Sequence, residues 1–176
     1  MSYVNDSSSA PLACDAAIIG GGPAGLMAAE ILAQAGHSVH VFDAMPSVGR
    51  KFLLAGKGGL NLTHSEPFEA FVSRFGERRA QIEPLLSVFG AEQLRAWAQG
   101  LGVDTFVGTS GRVFPTDMKA APLLRAWLAR LRAAGVVLHM RHRWLGWGAD
   151  GALCFASAAA QQRVTARATV LALGGA

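Results

Sequence analysis

The fold is decided by residues 15–25, which read DAAIIGGGPAG. The first part of this stretch, up to Ile19, is a short apolar run that ends in glycines, as a buried parallel strand does. From Pro23 onward the apolar residues recur with helical spacing, and Gly36 supplies a stop signal. Residues 38–42 then alternate in polarity, which indicates a second strand. A strand, a glycine-rich turn, a helix and a strand within about 30 residues predict a parallel βαβ unit.

The glycines of the turn fit the pattern GxGxxG, and each has its own steric reason. Gly20 makes the tight turn, Gly22 lets main chain approach a pyrophosphate, and Gly25 lets the helix pack closely on the strand. The unpaired amides and the positive end of the helix attract phosphate groups. We therefore predict a dinucleotide site that includes Gly20, Gly22, Pro23, Ala24 and Gly25.

Asp43 stands at the carboxyl end of the second predicted strand, eighteen residues after Gly25. This spacing places its carboxylate to accept hydrogen bonds from the adenosine ribose, with Ala44 beside it. A surface Asp that opens a turn is the alternative. At a dinucleotide site, the negative charge of Asp43 would also repel a 2′-phosphate, which argues against NADP at this first site. The motif alone does not separate FAD from NAD.

The composition limits the class of protein. Of the 176 residues, 51% are apolar, so one globular domain can bury a sizeable core without disulfide bonds or a structural metal. The net charge of +4 is scattered along the chain and lacks the clustering that nucleic acid demands, so we expect no nucleic-acid partner. The two cysteines, Cys14 and Cys154, are far apart and near no histidine at ligand spacing. This predicts no disulfide framework and no metal site, and favours a reducing, cytoplasmic setting.

Targeting signals are not evident in the sequence. The polar, Ser-rich start lacks the apolar stretch of a secretory signal. Glycines and Glu30 interrupt the apolar stretch at residues 16–35, so we expect no membrane span.

The rest of the chain predicts an α/β fold with a doubly wound parallel sheet, Rossmann-like in type. Residues 1–14 are expected to be a disordered tail and residues 15–176 the nucleotide-binding domain. Further parallel strands are predicted at residues 136–140 and 168–173. An insertion of helices and a hairpin is expected at about 65–118, and a three-stranded β-meander at about 143–166. The last predicted strand has little after it, so we expect the chain to be incomplete at its carboxyl end.

Three further motifs carry a family resemblance. Residues 49–64, GRKFLLAGKGGLNLTH, form a long segment without a clear period. They resemble the signature of the BaiN-like bacterial flavoproteins, a family of NAD(P)/FAD-dependent oxidoreductases that includes aminoacetone oxidase. Residues 111–115, GRVFP, resemble a second motif of that family, and residues 171–175, LALGG, resemble its AxGG turn. The resemblance extends from Asp15 over nearly the whole chain and corresponds to the family's N-terminal portion.

The resemblance implies an extended FAD, with basic residues and glycines along its ribityl and phosphate portion. Arginine and lysine supply charge and donors, and glycine lets backbone lie against the ligand. A flexible basic loop is the alternative. Relatives often carry an Arg-Cys pair before the Asn, where this chain has Gly59-Leu60, so chemistry that depends on that thiol is absent. The additional contacts implied for FAD are Arg50, Lys51, Gly56, Gly58, Gly59, Asn61, Trp144, Ala172, Gly174 and Gly175.

The function implied is that of an FAD-dependent oxidoreductase, which transfers hydride between reduced nicotinamide or an organic small molecule and an acceptor, with NAD(P)H as electron donor. Relatives complete the flavin pocket with a later domain, so this chain alone is expected to be inactive. Three alternatives stay open: an NAD-dependent dehydrogenase, a tRNA-modifying flavoprotein, and a non-catalytic FAD-binding module. No catalytic residue is assigned. His64 has no visible partner and is more typical of a structural histidine, while His139 and His142 are expected to be exposed.

Overall fold

The structure is a computed structural model that describes residues 12–55, 58–158 and 160–175. The chain divides into two compact units, which we call the sheet unit, residues 12–49 and 131–175, and the middle unit, residues 50–130. In chain order the strands are β1 (Leu12–Ile19), β2 (Val39–Asp43), β3 (Thr63–His64), β4 (Thr105–Val107), β5 (Arg112–Pro115), β6 (Val137–Met140), β7 (Arg143–Trp147), β8 (Leu153–Ala156) and β9 (Gln161–Leu171). The helices are α1 (Pro23–Gln34), α2 (Arg50–Ala55), α3 (Phe68–Ser73), α4 (Arg79–Val88), α5 (Ala91–Gly100) and α6 (Ala120–Ala133), with a 3₁₀ turn at Gly76–Arg78.

The sheet unit contains a six-stranded sheet in the order β6-β2-β1-β9-β8-β7. The first four of these strands are parallel, and β8 and β7 continue the sheet in antiparallel fashion. The predicted α/β class with a mostly parallel sheet is therefore confirmed. Because β6, β2, β1 and β9 are parallel, their carboxyl ends meet at one edge, where ligands of open α/β sheets bind.

Strand β1 begins at Leu12, earlier than the predicted start at Asp15. Leu12 and Cys14 pair with Val164 and Ala166 of β9, and burial of their side chains against the core extends the strand into the predicted tail. The other residues of that tail, 1–11, lie outside the described residues.

Strand β9 is continuous over eleven residues, whereas the sequence predicted a meander strand at 162–166 and a separate strand at 168–173. Its amino half pairs with β8 and its carboxyl half with β1, and Val164 pairs on both sides. Arg167 lies between the two predicted strands and is part of β9, and its exposed side chain makes an ion pair with Asp15 at 3.2 Å.

The core of the sheet unit contains side chains from the parallel strands and from the antiparallel strand β8. The buried Phe42 of β2 stacks on Phe155 of β8 with 4.2 Å between ring centroids. Each such ring contributes about 1.5–3 kcal/mol through burial. Trp144 packs against the edge of this cluster, whose buried members are Cys14, Ala17, Ile19, Phe42, Leu153, Phe155 and Val164.

The middle unit has its own small antiparallel sheet, in the order β3-β5-β4, and its own core. The predicted hairpin is present as β4 and β5. The core includes Leu60, Ala98 and Leu123, and Trp97 stands edge-on to Trp127 at 4.7 Å. The insertion predicted at residues 65–118 lies inside this unit, which begins earlier and ends later.

None of the helices among the described residues combines the length and apolar character that crossing a membrane requires.

Candidate nucleotide site

The turn after β1 is held by the ends of two neighbouring strands. The amide of Gly20 donates to the carbonyl of Phe42 in β2 at 2.8 Å, and the amide of Ala172 donates to the carbonyl of Ile19 at 2.8 Å. Gly20 has a φ of 110°, and a β-carbon there would stand 2.8 Å from the carbonyl carbon of Ala172 and overlap its oxygen. Only glycine fits this position, as the sequence predicted.

Gly25 brings α1 close to the same turn. A β-carbon on Gly25 would stand 3.1 Å from the carbonyl carbon of Gly20, overlap its oxygen, and lie 3.3 Å from the β-carbon of Ala172. The third glycine therefore has the packing function that the motif predicted.

Gly22 differs from Gly20 and Gly25 because no described atom lies within 4 Å of its virtual β-carbon. It is the N-cap of α1 and provides no side-chain cap, and Pro23 at the first helical position has no amide hydrogen. The first bond of the helix runs from the amide of Leu26 to the carbonyl of Gly22, at 2.9 Å. The amides of Ala24 and Gly25 precede it and have no acceptor within the helix. An open surface and outward amide groups are what a phosphate needs.

Asp43 binds the glycine turn through its side chain. Its Oδ2 accepts a hydrogen bond from the amide of Gly21 at 2.7 Å, and its Oδ1 accepts one from the amide of Met45 at 2.8 Å. Each carboxylate oxygen keeps a further lone pair. The half-buried carboxylate therefore lies beside the predicted pyrophosphate position, and its contact with a ribose stays a prediction.

Gly21 is a position that sequence reasoning missed. A β-carbon there would stand 2.9 Å from Oδ2 of Asp43 and overlap the side chain of Val48. Its carbonyl also accepts a hydrogen bond from the amide of Gly49 at 2.8 Å. The third adjacent glycine in the sequence was the available signal, but GxGxxG leaves that position free.

The carboxyl end of β9 completes the same edge of the sheet. Ala172 contacts Gly20 as described, and Gly174 and Gly175 follow it along the exposed edge. The fold thus brings together four of the predicted residues: Gly20, Gly25, Asp43 and Ala172. Ala44 follows Asp43 directly in the chain.

Trp144 lies in β7, where it pairs with Phe155. Its indole stands perpendicular to that of Trp147 at 4.7 Å, and its buried Nε1 has no hydrogen-bond partner among the described residues. Packing against the core explains its ring, and its predicted contact with adenine stays a prediction.

The other predicted cofactor contacts belong to the middle unit. Arg50 and Lys51 are exposed and begin helix α2, in a segment for which the sequence predicted no regular structure. Gly59 would place a β-carbon 2.6 Å from the methyl group of Met118, and the adjacent Leu60 donates to the Met118 carbonyl at 2.9 Å. The exposed residues Gly58 and Asn61 flank this contact, and Gly56 lies outside the described residues.

His64 has both ring nitrogens engaged. Its Nδ1 accepts from the amide of Glu66 at 3.2 Å, so Nε2 carries the hydrogen and donates to the carbonyl of Ser110 at 3.0 Å. The ring also covers Gly111, whose β-carbon would lie 2.6 Å from Cε1. These contacts support the structural interpretation of His64.

A group of stacked rings lies next to Asp43 along β2 and β6. His139 pairs with Phe42 across the two strands and stacks on it at 4.5 Å, while its Nε2 shares a hydrogen bond with Nδ1 of His40 at 2.9 Å. Burial, reinforced by the charges of His40 and His142, lowers the pKa of His139 to about 4. The prediction that His139 and His142 are exposed is wrong, because ring contacts, stacked at His139 and edge-on at His142, half-bury both side chains.

No group of three or more His, Cys, Asp or Glu side chains is arranged to hold a metal ion within residues 12–55, 58–158 and 160–175.

A known protein family matches nearly the whole chain. The family described as the HI0933-like protein Rossmann domain matches residues 14–176. The chain belongs to this family. The HI0933-like match covers both the glycine turn and the strand end at Ala172.

Solved structures share the fold at low sequence identity. The open conformation of a flavocytochrome c3 fumarate reductase is similar with a TM-score of 0.73 and 17% identity, over 94% of this chain and 34% of that chain. The 3-ketosteroid-Δ4-(5α)-dehydrogenase from Rhodococcus jostii RHA1 has a TM-score of 0.65 and 16% identity, over 96% and 47%. THI4 from Thermovibrio ammonificans has a TM-score of 0.58 and 20% identity, over 92% and 58%. The HI0933-like chain therefore covers about a third to just over half of each.

A curated relative is the ribosomal RNA dihydrouridine synthase of Haemophilus influenzae (strain ATCC 51907 / DSM 11121 / KW20 / Rd). It is 51% identical over 49 residues, which are 28% of this chain and 12% of that protein.

Proposed function

We propose that this chain is the FAD-binding Rossmann portion of a flavin-dependent oxidoreductase. The observation that carries the proposal is the open surface at Gly22, bounded by the helix α1 amides on one side and the Asp43 carboxylate on the other. A dinucleotide offers two groups that match these features, a pyrophosphate for the amides and a ribose for the carboxylate.

The residues of the chain fit this ligand chemically. The amides of Ala24 and Gly25 would donate to the pyrophosphate. Asp43 would accept hydrogen bonds from the ribose hydroxyls while it continues to accept those from the amides of Gly21 and Met45. Arg50, Lys51 and Asn61 are the candidates for the ribityl and flavin portions. When bound, FAD would supply hydride and electron transfer, and the chain would bind it, orient it and exclude water.

The finer assignments are also proposals. The motifs at residues 49–64 and 111–115 support a BaiN-like member of the family that uses NAD(P)H as donor and a small molecule as substrate. The separated cysteines, both free in the structure, support a cytoplasmic location. The chain covers only about a third to just over half of the similar solved structures. This supports the expectation that other parts of a full-length protein complete the flavin pocket.

Cofactor binding tests the proposal directly. The purified chain is titrated with FAD, and the flavin absorbance and fluorescence are followed together with the melting temperature. Ligand at about 100 times its Kd stabilises a protein by about 2.7 kcal/mol, so FAD should raise the melting temperature by several degrees. NAD and FMN serve as matched controls, since NAD lacks the flavin and FMN lacks the adenosine. An unchanged flavin spectrum at high protein concentration, or stronger stabilisation by NAD, would contradict the proposal.

A second candidate is a flavoprotein that reduces uridine in RNA. The relative from Haemophilus influenzae favours it, because 51% identity over 49 residues is far above that of the solved structures. Dihydrouridine is uridine that has gained two electrons and two protons across one double bond, which is compatible with flavin chemistry. The scattered charge of the chain argues against it. A salt-dependent shift of ribosomal RNA by the full-length protein, together with dihydrouridine formed in the presence of NADPH, would favour this candidate over a small-molecule substrate.

A further inference from the structure

Arg141 has a backbone conformation that is unusual for a residue with a side chain. Its φ is 59°, in the left-handed region that favours glycine. The same unit uses glycine at other turns with positive φ, such as Gly36, Gly135 and Gly151. Among the residues that the structure describes, Arg141 and Met118 are the non-glycine residues with positive φ. An arginine at a position where glycine would be less strained points to a use for its side chain.

The conformation of Arg141 is imposed by the loop that carries Asp43. The amide of Arg141 donates to the carbonyl of Met45 at 3.0 Å, and the amide of His142 donates to the carbonyl of Asp43 at 2.9 Å. Met45 in turn donates its amide to the Asp43 carboxylate. The turn after β6 is thus attached to the carboxylate loop by backbone hydrogen bonds.

The guanidinium of Arg141 is not used by the fold. The residue is exposed, and its side chain makes no hydrogen bond or ion pair with any described residue. By contrast, Arg163 and Arg167 of the same unit are paired with Asp150 and Asp15. The strain at Arg141 therefore has no compensation from a contact of its side chain within the described chain.

The order of the strands suggests which part of a ligand Arg141 meets. At the carboxyl edge, the glycine turn follows β1, Asp43 ends β2, and Arg141 follows β6, and these three strands are neighbours in the sheet. Met140 lies directly across from Asp43, so Arg141 is the next residue beyond that pair. Neighbouring strands are about 4.8 Å apart, which is close to the step from a phosphate to its ribose and from the ribose to its base. If the phosphates of a dinucleotide lie at the end of β1 and its ribose at the end of β2, its base lies at the end of β6.

We propose that Arg141 is an adenine-binding residue, whose planar guanidinium lies on the face of the adenine of the bound dinucleotide. This inference rests on the proposed dinucleotide function and adds a contact for its base. Arginine suits the task because its delocalised cation stacks on aromatic rings, whereas lysine presents a compact, strongly hydrated charge.

The test uses ADP-ribose, which contains both phosphates, the ribose and the adenine but no flavin. Its affinity for the wild-type chain and for the variants Arg141→Gly and Arg141→Lys is measured by calorimetry, with the melting temperature of each variant as a measure of folding. Arg132→Ala is the matched control, because Arg132 is exposed, carries the same charge and precedes β6, away from the carboxyl edge.

Arg141→Gly should weaken ADP-ribose binding about 3- to 30-fold, since a cation–π contact contributes about 0.5–2 kcal/mol. The melting temperature should be equal to or above that of wild type, because glycine relieves the strain. Arg141→Lys should also lose most of the affinity gained from the stacking contact. If Arg141→Gly proves less stable than wild type, the ADP-ribose affinity of Arg141→Lys tests the inference instead. Arg132→Ala should bind like wild type.

Each other result identifies what has failed. Unchanged affinity in both Arg141 variants, with wild-type binding intact, overturns this inference alone. A loss that disappears at about 0.5 M salt, or that Arg141→Lys restores, indicates a phosphate contact and also overturns it. Failure of the wild-type chain to bind ADP-ribose overturns the inference together with the proposed function.

Discussion

Replacing Gly25 or Gly22 by alanine separates the packing role of the glycine turn from its binding role. In Gly25→Ala the new methyl group overlaps the carbonyl oxygen of Gly20 and lies 3.3 Å from the β-carbon of Ala172. The obstacle is main chain that is itself fixed by hydrogen bonds to β2 and β9, so rotation of a side chain cannot relieve it. In Gly22→Ala the methyl group enters open space, and the φ of −80° suits any residue.

Gly25→Ala should therefore mainly lower stability, whereas Gly22→Ala should mainly lower the affinity for FAD. Overpacking in a core costs about 1–3 kcal/mol, and a backbone obstacle places Gly25→Ala near 3 kcal/mol. For a chain of this size that lowers the melting temperature by about 6–12 °C. Gly22→Ala replaces an accepted N-cap residue by a less favoured one, so it should destabilise the chain by no more than about 1 kcal/mol. Its methyl group stands where a pyrophosphate would approach, so FAD affinity should fall at least about tenfold, equal to about 1.4 kcal/mol.

Thermal unfolding followed by circular dichroism, without and with FAD, measures both effects. Wild-type stability in Gly25→Ala would refute the steric reasoning, because the overlap would then be relieved at no cost. A loss of stability in Gly22→Ala as large as that in Gly25→Ala would refute the claim that the surface at Gly22 is open.

Three further predictions concern the surroundings of the turn. Asp43→Ala should lower the free energy of unfolding by about 1–3 kcal/mol in urea titrations, because the amides of Gly21 and Met45 lose their charged acceptor; a stability equal to wild type would count against those bonds. Since the pKa of His139 is lowered from 6.5 to about 4, the unfolded chain takes up the proton more readily, and stability should fall as the pH drops from about 6.5 to about 4. His139→Phe keeps a ring on Phe42 and should flatten that part of the pH profile, and an unchanged slope would show that other groups cause it. Burial raises the pKa of Cys14, so iodoacetamide should label it more slowly than the half-buried Cys154, and equal rates in native protein would contradict this.

The sequence predicted the strand–turn–helix on which the candidate site is built and the position of Asp43 beside it. Gly20, Gly22 and Gly25 can be recognised because they have the spacing of the glycines in a strand–turn–helix motif. Asp43 can be recognised because it stands at the end of a predicted strand. The fold class followed from the same periodicities.

Features that depend on distant contacts could not be predicted in this way. The need for glycine at position 21 comes from Val48 and Asp43, which are remote in sequence. Helix α2 has six residues, too few for a hydrophobic period to be recognised. The conformation of Arg141 is imposed by hydrogen bonds to Met45 and Asp43, and nothing in the local sequence around it indicates a left-handed residue.

The pairing of β1 with β9 has a consequence for how the protein is made. Asp15 and Arg167 are partners although they are separated by 152 positions in the chain. At about 5–20 residues per second, a ribosome needs roughly 8–30 s between synthesising one strand and its neighbour. Throughout that interval the nascent β1 has an unoccupied edge at the centre of the future sheet, where premature association with other polypeptides competes with folding. Chaperone protection during translation should therefore matter more for this protein than for one whose central strands are adjacent in sequence.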